Sequence, residues 1–529
     1  MLFKSIIVVF ILGLSVSAFA YNILIIHPTP SLSHQRPVMA LIEALVKRGH
    51  NLFVASPNVV TGLEQNYTYV DLSFTYSYVQ RDVDTFVDLR RRISKWDLPE
   101  VFKGVQRIVG EQFKSTQFIQ FYKRVKEENI KFDVAIGEVF TFPSACAMIR
   151  LLSSHTQPPP LISMSTVSYD YFSEEFLGSP EHASFTPTAR DPYSNKMNIW
   201  QKINNWMSVL FLKPALKKVM DDEAKRNVRE AHGPQYEALV DNCWSNVSLT
   251  LITSNFVYYY PRLHGPNVIE LGPLHLKTAK ELPQDLQDWL DGAEIGVIYF
   301  SLGSNMKSKS LPPNVRSNFL RYFKELPTGY RVLWKWELDG RIPGQSDNIL
   351  AQKWMPQESI LAHPKVKVFI TQGGLQSVQE TVHYGVPTVG IPWFGDQDMN
   401  VAKLVDAGIG TRLNPPELES YANIKAAVDD VLNSEKYSKN MRRLSAIARE
   451  FSSQGLDAAT FWVEHVAKFG GAPHLRPSTA DATLFEFFCF DIISVILIIS
   501  VTILYLIRLA LRCLIAKYFS SNKTKIKKS

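Results

Sequence analysis

Short apolar runs recur along the chain, separated by longer stretches with helical spacing. One group spans residues 23–26, 52–55, 134–136, 161–164 and 249–253, and a second spans 297–301, 331–336, 366–370 and 388–391. Runs with little polar alternation mark strands covered on both faces, as in parallel sheets flanked by helices. Between the groups, residues 261–283 are rich in Pro and Gly and read as a linker. The pattern predicts an α/β protein with two doubly wound, Rossmann-like domains facing a cleft, over residues 21–270 and 284–475.

The ends follow other patterns. Residues 485–507 are almost wholly apolar and long enough to cross a hydrocarbon core of about 30 Å. The tail, 508–529, carries Arg508, Arg512, Lys517, Lys523, Lys525, Lys527 and Lys528 and no acidic residue. This predicts a single-pass transmembrane helix with the tail cytosolic and the body luminal. Residues 1–20 hold Lys4, an apolar stretch and Ala18-Phe19-Ala20, the form of a cleaved signal peptide. The terminal "KIKKS", with Lys525 and Lys527, resembles a retrieval signal to the endoplasmic reticulum membrane.

Charge and cysteines narrow the classes. The formal charge of the 529 residues is +7, and the tail alone holds seven basic residues, so the body is close to neutral and nucleic acid is not an expected partner. Arg90-Arg91-Arg92 reads as a solvated helix face. Cys489 and Cys513 lie in or beside the apolar span; Cys146 and Cys243 could pair, two buried thiols being the plainer expectation. Sequons at Asn66 and Asn246 fall on the luminal side as glycosylation candidates, whereas that at Asn522 falls in the tail.

Ligands of open α/β sheets sit beyond the carboxyl ends of the strands. Run 297–301 is followed by Gly303 and Ser304, and run 366–370 by Gln372, Gly373 and Gly374, with a helix-compatible stretch from Leu375. Bare backbone and a helix N-terminus suit a phosphate. Neither turn is the dinucleotide fingerprint or a P-loop. "WMPQ", from Trp354, precedes by about one strand, and "PWFGDQ", from Pro392, follows by about one helix and strand. Together they form a graded set for base, phosphate, ribose and sugar.

Residues 354–400, "WMPQESILAHPKVKVFITQGGLQSVQETVHYGVPTVGIPWFGDQDMN", closely resemble the signature of the membrane-bound animal UDP-glycosyltransferases. The resemblance extends to Ser33-His34, "RGH" from Arg48, "FSLGS", "HLRP" from His474, Asp491 and the lysine tail. It implies a GT-B fold, with the acceptor in the first domain and the UDP-sugar mainly in the second. It assigns Trp354 to stack on uracil, Gln357 to the base or ribose, and Ser304, Gly373 and Gly374 to the diphosphate. Ser377 joins the donor site, Glu380 takes ribose hydroxyls, and Asp396 and Gln397 hold the sugar. The plain alternatives are a packed indole, a surface carboxylate and a turn. Gln372 stands where most members carry His; its amide can donate but cannot become cationic. "TQGG" resembles insect and baculoviral members, and the membrane span disfavours the secreted viral type.

The same resemblance makes His34 the general base, an imidazole expected to titrate near neutrality, with His27 its rival by position. Glu138 stands where the family's Asp partner is expected, while Asp133 precedes the strand. Its extra methylene leaves two readings: a dyad with shifted backbone, or His34 without a direct partner. No metal or cofactor is expected, because helix N-termini can stabilise departing UDP and the UDP-sugar is itself the co-substrate. Asp82-Val83-Asp84 and Asp396-Gln397-Asp398 mimic a D-x-D metal motif outside its setting. The implied activity is inverting transfer of a hexose, glucose by the insect-like signature, to a small lipophilic acceptor. A catalytically silent UDP-sugar-binding membrane subunit is the alternative, and a nicotinamide dehydrogenase lacks its fingerprint. Homo- or hetero-oligomers fit either reading. Residues 199–212, "IWQKINNWMSVLFL", are apolar enough for a bilayer surface or for packing under the acceptor pocket.

Overall fold

The computed structural model describes residues 20–82, 94–153, 156–168, 175–179, 182–188 and 191–526. The expected signal peptide, Arg90 to Arg92 and Lys527 lie outside the described residues. Strands β1 (Asn22–Ile26), β2 (Asn51–Ser56), β3 (Tyr67–Asp71), β4 (Val134–Glu138), β5 (Leu161–Ser165), β6 (Val247–Ile252) and β7 (Val268–Glu270) form one sheet. Its order is β3-β2-β1-β4-β5-β6-β7, and its neighbours pair in parallel. Strands β8 (Gly296–Ser301), β9 (Tyr330–Lys335), β10 (Ile349–Gln352), β11 (Val366–Thr371), β12 (Thr388–Gly390) and β13 (Gly410–Arg412) form a second parallel sheet, ordered β10-β9-β8-β11-β12-β13.

The period of two explains the cores. On β1, Leu24 and Ile26 face a cluster with Phe113, Phe118, Phe142 and Trp244, while Ile23 and Ile25 face Leu41, Leu45 and Val463. On β8, Ile298 and Phe300 pack with Phe319 and Trp334, and Val297 and Tyr299 with Leu333 and Phe369. Both faces of each sheet are covered, as the continuous apolar runs require.

Three departures from expectation have physical causes. Helix Gly455–Phe469, placed by sequence in the second domain, returns to the first: Ala459, Val463 and Val466 join the cluster under β1, and Glu464 bonds Arg48 and His50. Cys146 and Cys243, whose pairing the sequence left open with thiols the plainer reading, form a disulfide with Cα atoms 6.0 Å apart. The apolar C-terminal helix runs from Phe490 to Ile526, because Cys489, at φ 57°, separates it from the turn Leu484–Phe487. Its segment Phe490–Phe519 is long and apolar enough to cross a membrane.

Candidate active site

The carboxyl ends of the two sheets face one cavity of about 1260 Å³. The first domain contributes an apolar wall that includes Leu98, Phe102, Ile108, Phe140, Leu212 and Leu216. The second contributes the polar wall, where all ten candidate donor residues of the sequence meet except Gly373, which lies one residue behind the lining Gly374.

The two turns are built for close approach. Gly303, after β8, has φ +79°, and a Cβ there would lie 2.6 Å from Gln372 Nε2. Gly373, after β11, has φ +80°, and a Cβ there would lie 2.4 Å from Val401 Cγ2. Gly374 then caps helix Leu375–Tyr384 without any side-chain cap, so the helix presents its first N–H groups and positive end to the cavity. Ser304 lines the same turn. Gln372 is buried, and its Oε1 accepts from Gln397 Nε2 at 3.3 Å. Gln397 Oε1 accepts in turn from the backbone N–H groups of Trp393 and Phe394. Gln397, assigned by resemblance to the sugar, thus braces its own loop in this structure. Asp396 Oδ2 accepts from Asn400 Nδ2 at 2.9 Å.

Trp354 is 60% exposed on the cavity, so packing into the core does not account for it; Lys335 Nζ lies 5.7 Å from its ring. Gln357 Nε2 contacts Ser377 Oγ at 2.9 Å and Glu380 Oε2 at 2.5 Å. Glu380 is fully buried, not a surface helix carboxylate. Arg36, from the first domain, reaches Glu380 Oε1 at 2.5 Å and also pairs with Glu358, while His275 of the interdomain connection lies 3.5 Å from Glu380. Burial pushes the Glu380 carboxyl up, but His275, Arg36 and Gln357 outweigh it and hold it below the ordinary carboxylate value.

Across the cavity, His34 sits in the first turn of helix Leu32–Lys47, edge-on to Phe140. Its Nδ1 lies 2.8 Å from Thr166 Oγ1. Burial lowers its pKa to about 4, against the opposing pull of Glu138, so the imidazole is neutral at pH 7 and does not titrate near neutrality as expected. The expected dyad is also absent as a direct hydrogen bond. Glu138, at the buried end of β4, accepts from Thr29 N–H at 3.1 Å and Thr141 Oγ1 at 3.3 Å, and its Oε1 lies 3.6 Å from His27 Nε2. The longer carboxylate is captured by the loop after β1, and it acts on His34 through charge alone. Gln35 Nε2 lies 2.7 Å from His27 Nδ1, which directs the other ring nitrogen toward Glu138. His27 is buried, with its pKa lowered by burial to about 3, and does not line the cavity.

Sequence reasoning passed over Arg36, Thr166, His275 and Lys335. Thr166, His275 and Lys335 come from segments that carry no motif, and Arg36 lies two residues beyond His34 on its helix; only the meeting of the domains marks them. Residues 199–212 are apolar on two sides. Ile199, Trp200, Met207 and Phe211 are exposed, while Leu212 turns inward to line the cavity. Asn66 and Asn246 are both exposed.

The family model described as UDP-glucoronosyl and UDP-glucosyl transferase matches residues 22–526. The chain is 29% identical to UDP-glucosyltransferase 2 of Dactylopius coccus over 510 residues, covering 96% of each chain. It is 27% identical to UDP-glucuronosyltransferase 1A8 of Homo sapiens, covering 90% of this chain and 88% of that one. Among solved structures, the glycotransferase of kitacinnamycin superposes with a TM-score of 0.55 at 18% identity, over 84% of this chain and 98% of that one, which supports the GT-B fold. The chain belongs to the UDP-glucuronosyl and UDP-glucosyl transferase family and is a UDP-glycosyltransferase.

Proposed function

We propose that the protein transfers glucose from UDP-glucose to a hydroxyl of a small lipophilic acceptor, with inversion, by one in-line displacement. The observation that carries this reading is the facing of two walls: His34 opens into a cavity whose near wall is apolar and whose far wall is the Gly374 helix N-terminus. His34 Nε2 removes the acceptor proton as its oxygen attacks the sugar's anomeric carbon. The bond from that carbon to the diphosphate oxygen breaks on the opposite face, and the helix N-terminus receives the negative charge of the leaving UDP. Trp354 stacks on uracil, Gln357, Ser377 and Glu380 hold the ribose side, Ser304, Gln372, Gly373 and Gly374 face the diphosphate, and Asp396 faces the sugar. Gln397 supports that loop. The name of the Dactylopius relative favours glucose, as does the insect-like "TQGG".

In this reading the C-terminal helix anchors the enzyme in the endoplasmic reticulum membrane with its body luminal, where Asn66 and Asn246 are open to glycosylation. The deciding experiment incubates membranes carrying the full chain with several UDP-sugars and a panel of phenols, flavonoids and steroids. His34→Ala should lose about 10² to 10⁴ in rate with UDP affinity intact. Trp354→Ala should weaken UDP binding by about tenfold, since base stacking contributes about 1–3 kcal/mol. UDP-sugar binding without transfer to any acceptor would favour the silent subunit instead.

A further inference from the structure

The chain leaves β5 at Ser165 and crosses at once to the second domain. Thr166 is 1% exposed. Its Oγ1 lies 2.8 Å from His34 Nδ1, and its carbonyl accepts from Gln376 Nε2 at 2.9 Å. Two residues on, Ser168 Oγ donates to Asn400 Oδ1 at 3.0 Å. Asn400 Nδ2 donates to Gly373 O at 3.0 Å and to Asp396 Oδ2 at 2.9 Å. Gln376 belongs to the first turn of the helix behind the Gly373-Gly374 turn. One short loop therefore holds the imidazole at one end and the supports of the diphosphate turn and the sugar loop at the other.

We propose that Thr166 is the positioning residue of His34, and that residues 166–168 align the imidazole only while they are seated on Gln376 and Asn400. The inference rests on the reading of His34 as the base. An imidazole serves as a base at one nitrogen only if the other is held, which fixes both ring plane and tautomer. With Nδ1–H donated to Thr166 Oγ1, the lone pair of Nε2 faces the cavity. The proton taken from the acceptor then stays on Nε2, and the bond to Thr166 persists through the transfer. A hydroxyl cannot neutralise the imidazolium as a carboxylate does, so orientation is the whole of its contribution. Glu138, expected in this role, is occupied by Thr29 and Thr141. Because the carbonyl of Thr166 is tied to Gln376, a base on the acceptor domain is aligned by the state of the donor domain.

The test uses the full chain in membranes with a saturating acceptor. Thr166→Val keeps the shape and removes the hydroxyl; kcat should fall roughly 10- to 100-fold with the donor KM within about twofold. Thr166→Ser should restore most of the rate, and Thr166→Val should cost little more in a His34→Ala background. Gln376→Leu should lower kcat in the wild type and add little to Thr166→Val. Normal kcat for Thr166→Val beside an inactive His34→Ala would overturn the proposal, as would Thr166→Ser being as slow as Thr166→Val. Near-normal turnover by His34→Ala would instead overturn the assignment of the base, a distinct result.

Discussion

Arg36 Nη1 donates to Glu380 Oε1 at 2.5 Å across the cleft, joining the helix that carries His34 to the helix behind Gly373 and Gly374. Glu380 has no exposed surface, and Arg36 is 32% exposed, so the cation compensates a fully buried carboxylate. Removing one partner of such a pair strands the other. Arg36→Met should lower unfolding stability by about 1–3 kcal/mol, and Glu380→Gln in that background should recover part of it. Thermal unfolding of the solubilised chain measures both. Since its partners hold Glu380 below the ordinary carboxylate value, the contribution is present above about pH 4.5 and disappears as pH falls.

Burial moves the His34 pKa to about 4, and this changes the expected pH dependence. A base already unprotonated at pH 6 gives kcat/KM a flat profile through neutrality, falling only as pH approaches 4. Initial rates with an O-linked acceptor between pH 4 and 8 check this; a limb near pH 6.5 would mean that the ring is better solvated than its packing suggests. Stability moves the same way. His27 and His34 are neutral when folded but protonate below about 6.5 when unfolded, so the unfolded chain binds more protons and stability falls as pH drops from 6.5 toward 4.

The Cys146–Cys243 disulfide closes a loop of 97 residues that contains β5, Thr166 and the segment 199–212. Cross-linking a loop of that length removes unfolded-state entropy, and its loss should cost about 2–5 kcal/mol. A reductant should lower the melting temperature of the wild type to near that of the Cys146→Ser, Cys243→Ser double variant and leave the variant unchanged. An unreduced wild type that already melts with the variant would count against the bond.

The sequence made the sheet centres legible and the sheet edges illegible. The four strands it missed, β3, β7, β10 and β13, are the four edges. Each is partly exposed, so none carries the continuous apolar run that marked its neighbours. Strand β7 lies inside the stretch read as a linker. The polar wall of the cavity was legible because most of its candidate side chains fall within residues 354–400. The contacts that hold the facing wall were not, because Thr166 meets His34 across 132 residues and Arg36 meets Glu380 across 344. Glu138 marks the limit of reading by position: it stands where a partner of His34 was expected, yet Thr29 and Thr141 hold its carboxylate.

The outer face of residues 199–211 offers the last test. Trp200 is 76% exposed, and Ile199, Ile203, Met207, Leu210 and Phe211 share its exposure at helical spacing. An apolar face of this kind in water calls for a cover. Trp206 of the same helix lies 5.7 Å, ring to ring, from Phe488, just before the apolar helix that begins at Phe490. A bilayer crossed by that helix would meet this face, and Leu212 on its inner side lines the cavity, so acceptors dissolved in lipid would have a short path inward. Trp200→Ser with Phe211→Ser removes about 1–2 kcal/mol of interfacial burial. In nanodiscs, the apparent KM for a membrane-partitioning steroid should rise about three- to tenfold, with a water-soluble phenol within about twofold. Both positions are exposed, so the fold should tolerate the change, and an equal rise for both acceptors would place the effect in the pocket rather than at the membrane.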